Sequence, residues 1–248
     1  MSIKLILKSS QAKTVSTACE FFSRIKIGQF KEIVWHTLSW KLPSEDYCDT
    51  RDLAEHYLFQ ARYHIYPDLH GVGHSYGIGK FEEADKAFDV YQVIRQHFGD
   101  PRSPFSYYPL PLSEKRKNGE GKEEIILTLS DEQAKIVAKA CEFYARIRIG
   151  QFARVIDITL DNNIPVEEYC ERRKLAESFL LETRKHIYPE LGNNIGSSYA
   201  VRKFEDTSDA YDVQQVIDHF FGNPQIPFSP NPLPKIERVE EEEKKKEK

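Results

Sequence analysis

The feature that most restricts the fold of this chain is that it is written twice. Displaced by 122 residues, CEFFSRIKIGQF (Cys19 to Phe30) falls on CEFYARIRIGQF (Cys141 to Phe152) with nine of twelve positions identical. The same displacement sets PSEDYC on PVEEYC and HIYPDL (His64 to Leu69) on HIYPEL (His186 to Leu191). After one inserted residue, a displacement of 123 sets SYGIGKFEEADKAFDVYQVI, from Ser75, on SYAVRKFEDTSDAYDVQQVI, from Ser198, and FGDPRSPFS on FGNPQIPFS. Solenoid units run about 20 to 50 residues, so a period this long with a single gap predicts two copies of one domain. The division expected is a first copy over residues 1–111, a flexible polar tether over 112–124, a second copy over 125–236 and a charged, disordered tail over 237–248.

Each copy reads as mainly α-helical with short β-strands, an α+β class, and the tandem pair as a pseudo-dimer. EIILTL opens the second copy as a short strand, and IKLIL the first. A lone strand leaves its backbone groups unpaired, so these runs are expected to pair with each other or with another strand of their own copy. Ser130 followed three residues later by Gln133 has the form of a capping box. Behind it Ala134, Val137, Ala138, Cys141 and Ala145 recur at helical spacing. A short helix through QFARVIDITL follows, then one begun at Pro165 and stopped at Pro189, and a last one from about Asp206 to Gly222. The closing NPQIPFSPNPLP is too rich in proline for helix and predicts an extended strap.

Composition narrows the function. Hydrophobic residues make up 40% and charged residues 30%, with no apolar run of the ~18 residues a membrane span requires. The N-terminus MSIKLILKSS does not read as a signal peptide, so the expected location is the cytoplasm. A net charge of −4 argues against broad nucleic-acid binding. Cys19, Cys48, Cys141 and Cys170 form no C-x-x-C pair and read as free buried thiols.

A residue needed for a function shared by both copies should be present in both. His70 and His74 have a metal-like spacing, but glycines surround them and the second copy lacks them, so no metal or cofactor is expected. The matched His64 and His186 fall at a helix C-terminus, where an imidazole can satisfy end carbonyls. No nucleophile motif is present, and no catalytic residue is assigned. The matched polar set is Arg24/Arg146, Gly28/Gly150, Gln29/Gln151, Ser75/Ser198, Tyr76/Tyr199, Lys80/Lys203, Asp89/Asp212 and Gln92/Gln215. If the glycine opens a helix, the amides after it and the preceding arginine form an anion site, the tyrosines stack on a base and the glutamines read polar edges. The same residues also have a structural reading, in which the arginine pairs an acid, the glutamine caps a helix and the tyrosines belong to the core.

The string R-I-x-I-G-Q-F after an aromatic residue and a serine or alanine, followed by a distant S-Y-G-I and by D-x-x-Q-V-I, resembles a family of small phage proteins about one copy long. The second copy departs from it in writing SYAV. The resemblance implies an anti-defence sponge, similar in concept to the Sequestin and Lockin types, that sequesters a nucleotide-derived immune signal such as a cyclic ADP-ribose species or a cyclic dinucleotide. It implies a small-molecule nucleotide-like ligand, with further homo-oligomerisation open, while the charge and hydropathy above predict no nucleic-acid partner and no membrane. Two alternatives stay open beside it: a protein-interaction module that blocks a host partner, and an enzyme that degrades such a signal.

Overall fold

The computed structural model describes residues 2–38, 44–69, 81–191 and 205–239. In chain order the elements are β1 (Ser2–Lys8), α1 (Ser9–Lys26), α2 (Glu32–Thr37), α3 (Ser44–Ile65), α4 (Glu82–Gln96), β2 (Leu112–Lys117), β3 (Glu123–Ser130), α5 (Asp131–Arg148), α6 (Arg154–Thr159), α7 (Val166–Ile187), a 3-10 turn at Pro189–Leu191, α8 (Glu205–Phe220) and β4 (Lys235–Arg238). The chain is mainly helical, with one four-stranded antiparallel sheet, an α+β arrangement. Helix lengths repeat from half to half: α1 and α5 have 18 residues each, α2 and α6 six, α3 and α7 22.

Two compact units are present, and neither coincides with one half of the sequence. The first takes residues 1–20, 86–142 and 208–248; the second takes 21–85 and 143–207.

The first unit holds the sheet, in the order β2-β3-β1-β4. Ile3, Leu5, Leu7, Ile125, Leu127 and Leu129 are fully buried, and each such side chain contributes on the order of 2 kcal/mol. The two central strands pair in a register that sets Leu5 opposite Leu127, residues 122 apart in sequence, and is symmetric about that pair. The edge strands obey the same symmetry. β2, from the first half, pairs with β3, and β4, from the second half, pairs with β1, so each half lends its edge strand to the other's central one. Buried Ala12, Val15, Ala18 and Cys19 recur along α1, as Ala134, Val137, Ala138 and Cys141 do along α5, and complete the core with Val90 and Ile94 of α4 and Val213 and Ile217 of α8.

The capping box at α5 forms as the sequence predicts: the Gln133 amide donates to Ser130 Oγ at 3.1 Å, and the Ser130 amide to Gln133 Oε1 at 2.9 Å. Residues 112–124 correct the expected tether, because they form a β-hairpin. Its strand β2 is an edge with little to bury, so it reads as solvated linker. It is held by ladder bonds, by Lys115–Glu123 and Arg116–Glu124 ion pairs at 3.0 and 3.2 Å, and by a turn in which Asn118 Oδ1 accepts from the amides of Glu120 and Lys122. Glu237 and Arg238, placed in the tail by composition, belong to β4. Cys19 and Cys141 are buried free thiols, whereas Cys48 and Cys170 are exposed, which corrects the reading of all four as buried.

The second unit is helical. Phe21 and Phe143, again 122 apart, stack with ring centroids at 5.6 Å, and α3 runs antiparallel along α7. There Tyr57 stacks on His186 at 5.5 Å and His64 on Phe179 at 5.6 Å, with Tyr57 and Phe179 in contact between them. The matched histidines lie in the last turns of α3 and α7, as expected, and there their rings pack flat in an aromatic column. No helix among the described residues is long and apolar enough to cross a membrane.

Two predictions follow from this packing. Burial lowers the His64 pKa below 6.5, with Glu171 raising it and Arg172 lowering it by smaller amounts, and burial with nearby Lys115 lowers that of His97. A depressed imidazole pKa means that the unfolded chain binds more protons, so stability is complete above pH ~6.5 and declines as pH falls through it. Melting temperature should drop between pH 7.5 and 5.5, and His64→Phe, which keeps a flat ring in the column, should reduce that drop. Second, Gly150 sits at φ +85°, where an added Cβ would meet Leu191 Cδ1 at 2.8 Å. Gly150→Ala should lower the unfolding free energy by about 2 kcal/mol or more in a denaturant titration.

Candidate functional site

The paired joints RIKIGQF and RIRIGQF are helix ends. The amide of Gly28 donates to the carbonyl of Ile25 and that of Gln29 to the carbonyl of Arg24, both at 2.9 Å, and Gly150 and Gln151 repeat this with Ile147 and Arg146. This is the Schellman closure, with glycine at the left-handed position. It corrects the expectation that these glycines open a helix and free the following amides for an anion: the amides of Gly28, Gln29, Gly150 and Gln151 are bonded to α1 and α5. The short helices that follow, α2 and α6, are six residues each. Glycine is required twice over, because Tyr66 and Leu69 lie within 4 Å of an added Cβ at Gly28, as Tyr188 and Leu191 do at Gly150.

The other residues of the joint have equally definite work. Arg24 Nη1 donates to Gln29 Oε1 at 3.1 Å, and Arg146 Nη1 to Gln151 Oε1 at 2.9 Å, so arginine and glutamine clip the turn from outside. The second cation of each joint reaches across the halves. Lys26 Nζ donates to the carbonyl of Ile158 at 2.9 Å and pairs with Glu83 at 3.0 Å; Arg148 donates to the carbonyl of His36 and pairs with Asp206 at 3.2 Å. Those carbonyls lie in the last turns of α6 and α2, the negative ends of their dipoles. Tyr66 and Tyr188 hydroxyls donate back to the carbonyls of Lys26 and Arg148, at 2.7 and 2.9 Å.

Beside the Gly150 turn, within the second unit, lies a cavity of about 670 Å³. Four guanidinium-bearing residues line it, Arg146, Arg154, Arg173 and Arg184, with Asp157 and Glu177 as the carboxylates and Phe152, Leu180 and Leu181 as apolar wall. Counting formal charges of those side chains gives 4 − 2 = +2 in a chain whose total is −4. Asp157 bridges Arg154 and Arg173 at 3.1 and 3.2 Å, and Arg173 also reaches Glu177 at 2.8 Å. The hydrogen bond that Arg173 donates to the Tyr169 hydroxyl, at 3.2 Å, and after it these carboxylates raise the Arg173 pKa against the lowering effect of burial. Arg184 is 4% exposed and donates to the carbonyl of Leu191; burial lowers its pKa. The cavity can therefore offer fixed, planar donors to an anionic group and an apolar surface to the rest of a small molecule.

Of the sequence candidates, Arg146, Gly150 and Gln151 line this cavity. Arg24 and Gln29 occupy the matching joint, where Arg24 is also paired with Glu32 at 3.4 Å. Asp89, Gln92, Asp212 and Gln215 belong to the first unit and hold the proline-rich straps. Gln92 accepts from the Phe105 amide at 3.0 Å and donates to its carbonyl at 2.9 Å, and the Ser106 hydroxyl donates to Asp89. In the second half the Phe228 amide donates to Gln215 at 3.3 Å and Ser229 to Asp212 at 2.7 Å. The D-x-x-Q and P-F-S motifs are thus two sides of one clasp. Gln11 and Gln133 close its far end through the carbonyls of Pro232 and Pro109, each at 3.0 Å, so each strap is tied by its own half and then by the other. Ser75, Tyr76, Lys80, Ser198, Tyr199 and Lys203, with His70 and His74, lie outside the described residues. Among the described residues no group of three histidine, cysteine or carboxylate side chains is arranged to hold a metal.

Sequence reasoning missed Arg154, Asp157, Arg173, Glu177 and Arg184. The signal for three of them was present: at a displacement of 122, Arg51, Glu55 and Arg62 fall on Arg173, Glu177 and Arg184. Arg154 and Asp157 carry no such signal, because the first half has Glu32 and Trp35 there. Comparisons with protein-family models, with curated proteins and with solved structures give no match.

The clasp makes its own prediction. Gln92→Ala removes both bonds to the Phe105 backbone, at a cost of about 1–2 kcal/mol. The exposed Phe105 should then be cut by chymotrypsin faster than in the parent chain.

Proposed function

We propose that the chain is a non-enzymatic binding protein for a small anionic molecule, built as a fused, strand-exchanged pair of equivalent modules, with the ligand held in the arginine-lined cavity of the second. The observation that carries this reading is the convergence of Arg146, Arg154, Arg173 and Arg184 on one 670 Å³ cavity with a partly apolar wall. Small-molecule sites are typically ~300–1,000 Å³ and mostly apolar with a few placed polar groups. Guanidinium forks match phosphate and carboxylate oxygens, while Phe152, Leu180 and Leu181 suit a base or other flat apolar part. Nucleotide-derived signals combine these two parts. That chemistry, together with the resemblance of the R-I-x-I-G-Q-F, S-Y-G-I and D-x-x-Q-V-I motifs, makes sequestration of such a signal in the cytoplasm of a phage-infected cell our preferred role. The pairing of modules is supported by the symmetric strand register and by the reciprocal Lys26–Ile158 and Arg148–His36 bonds.

Melting curves with phosphate, pyrophosphate, ADP, ADP-ribose, cyclic ADP-ribose and cyclic dinucleotides test the reading. A bound member at a hundredfold excess over its Kd stabilises the fold by about 2.7 kcal/mol, and the ligand should return intact after heat denaturation. Arg173→Ala, at a half-exposed position on the cavity wall, should weaken binding roughly 10- to 100-fold with little change in the unliganded melting temperature. Absence of any shift across the panel would sink the proposal, and recovery of a converted product would turn it into an enzyme.

A further inference from the structure

The two halves differ in charge at residue 32 and its counterpart 154, close to the joint arginine that both carry. In the first half Glu32 stands beside Arg24, with Oε1 at 3.4 Å from Nη1 and the carboxylate side chain only 11% exposed. At a displacement of 122 the second half carries Arg154, and its guanidinium faces the cavity that Arg146 also lines. The exchange of carboxylate for guanidinium changes the local charge by two units. Two further substitutions accompany it, and one of them, Asp157 for Trp35, gives the second half a carboxylate that offsets one of those two units. Trp35 stands where the second half has Asp157, which in the second half fixes Arg154 and Arg173 to the wall. Phe59 covers the guanidinium of Arg62 at 5.0 Å from the ring centroid, where the second half has Leu181 beside Arg184.

From this contrast, and resting on the anion-binding reading above, we infer that the chain has one ligand site rather than two, and that residue 32 and its counterpart 154 decide which half is competent. Glu32 is an internal anion: its carboxylate occupies the position beside the joint arginine that the anionic group of a ligand takes in the second half. A ligand entering the first half must displace a partly buried carboxylate from Arg24 and face its charge, and both terms oppose binding. In the second half the arginine at that position adds a donor. The ligand is accordingly one whose anionic group is recognised by at least two guanidinium forks, a phosphate or pyrophosphate in preference to a single carboxylate.

The experiment is isothermal titration of the full chain with ADP and with pyrophosphate, reading stoichiometry. One equivalent per parent chain is expected. Arg154→Glu, which copies the first half's residue into the second, should reduce affinity at least a hundredfold and leave no measurable equivalent. Glu32→Arg, which copies the second half's residue into the first, should raise the stoichiometry toward two, and Glu32→Ala serves the same purpose if the arginine does not fold. Circular dichroism melts confirm that each variant retains its structure. Two equivalents in the parent chain, or unchanged binding by Arg154→Glu, overturn the single-site assignment while leaving an anion-binding protein. No binding of any anion by the parent chain removes the functional reading and this inference with it.

Discussion

The left-handed glycine turn at the end of α1, repeated at the end of α5, is the constraint on which the rest of the helical unit depends. Without a Cβ the helix end can be covered by the aromatic ring of Tyr66 or Tyr188 and by Leu69 or Leu191, and the Schellman bonds consume the amides that would otherwise point into solvent. The tyrosine hydroxyl then satisfies a terminal carbonyl. With the helix end fixed, its flanking cations are aimed: Lys26 and Arg148 toward the end of the other half's short helix, Arg24 and Arg146 across the turn onto the following glutamine. The cavity wall is a by-product of this closure, since the turn that buries Gly150 also brings Arg146 and Gln151 to one side of it.

Much of what repeats in the sequence repeats for structural reasons. The clasp of Asp89 and Gln92 on the first strap, and of Asp212 and Gln215 on the second, spends polar side chains on backbone groups of a segment that has no ladder of its own. Proline-rich segments cannot satisfy their carbonyls with neighbouring amides, so side chains from a helix must do it, and those side chains must appear in both halves. A search for matched polar residues therefore finds clasps as readily as binding sites.

On the proposed reading, the binding function lies where the halves part company. Both carry the arginines on the α3 and α7 face, Arg51 and Arg62 in one and Arg173 and Arg184 in the other. Only one carries a cation in place of Glu32. At that position one half has a partly buried carboxylate and the other a guanidinium on the cavity lining.

The sequence by itself determined the internal match, the helix-rich class, the capping box at Ser130 and Gln133, and the break at each glycine, because these rest on local periodicity and on backbone conformations that few residues adopt. It read the glycine as opening a helix, since a glycine between two helical patterns is compatible with either end, and it read residues 112–124 as a tether, since a charged edge strand looks like solvated chain. Tertiary structure decided that the edge strands are exchanged between halves, that the matched histidines stack as rings in a column, and that Arg154, Arg173 and Arg184 meet Arg146 around one cavity. The pairings of β1 with β3 and β4 join segments more than a hundred residues apart, and the histidine column and the cavity depend on the antiparallel run of α3 along α7. Propensity and spacing act within a few turns of chain, and carry no information on which distant partner completes a sheet or faces a pocket.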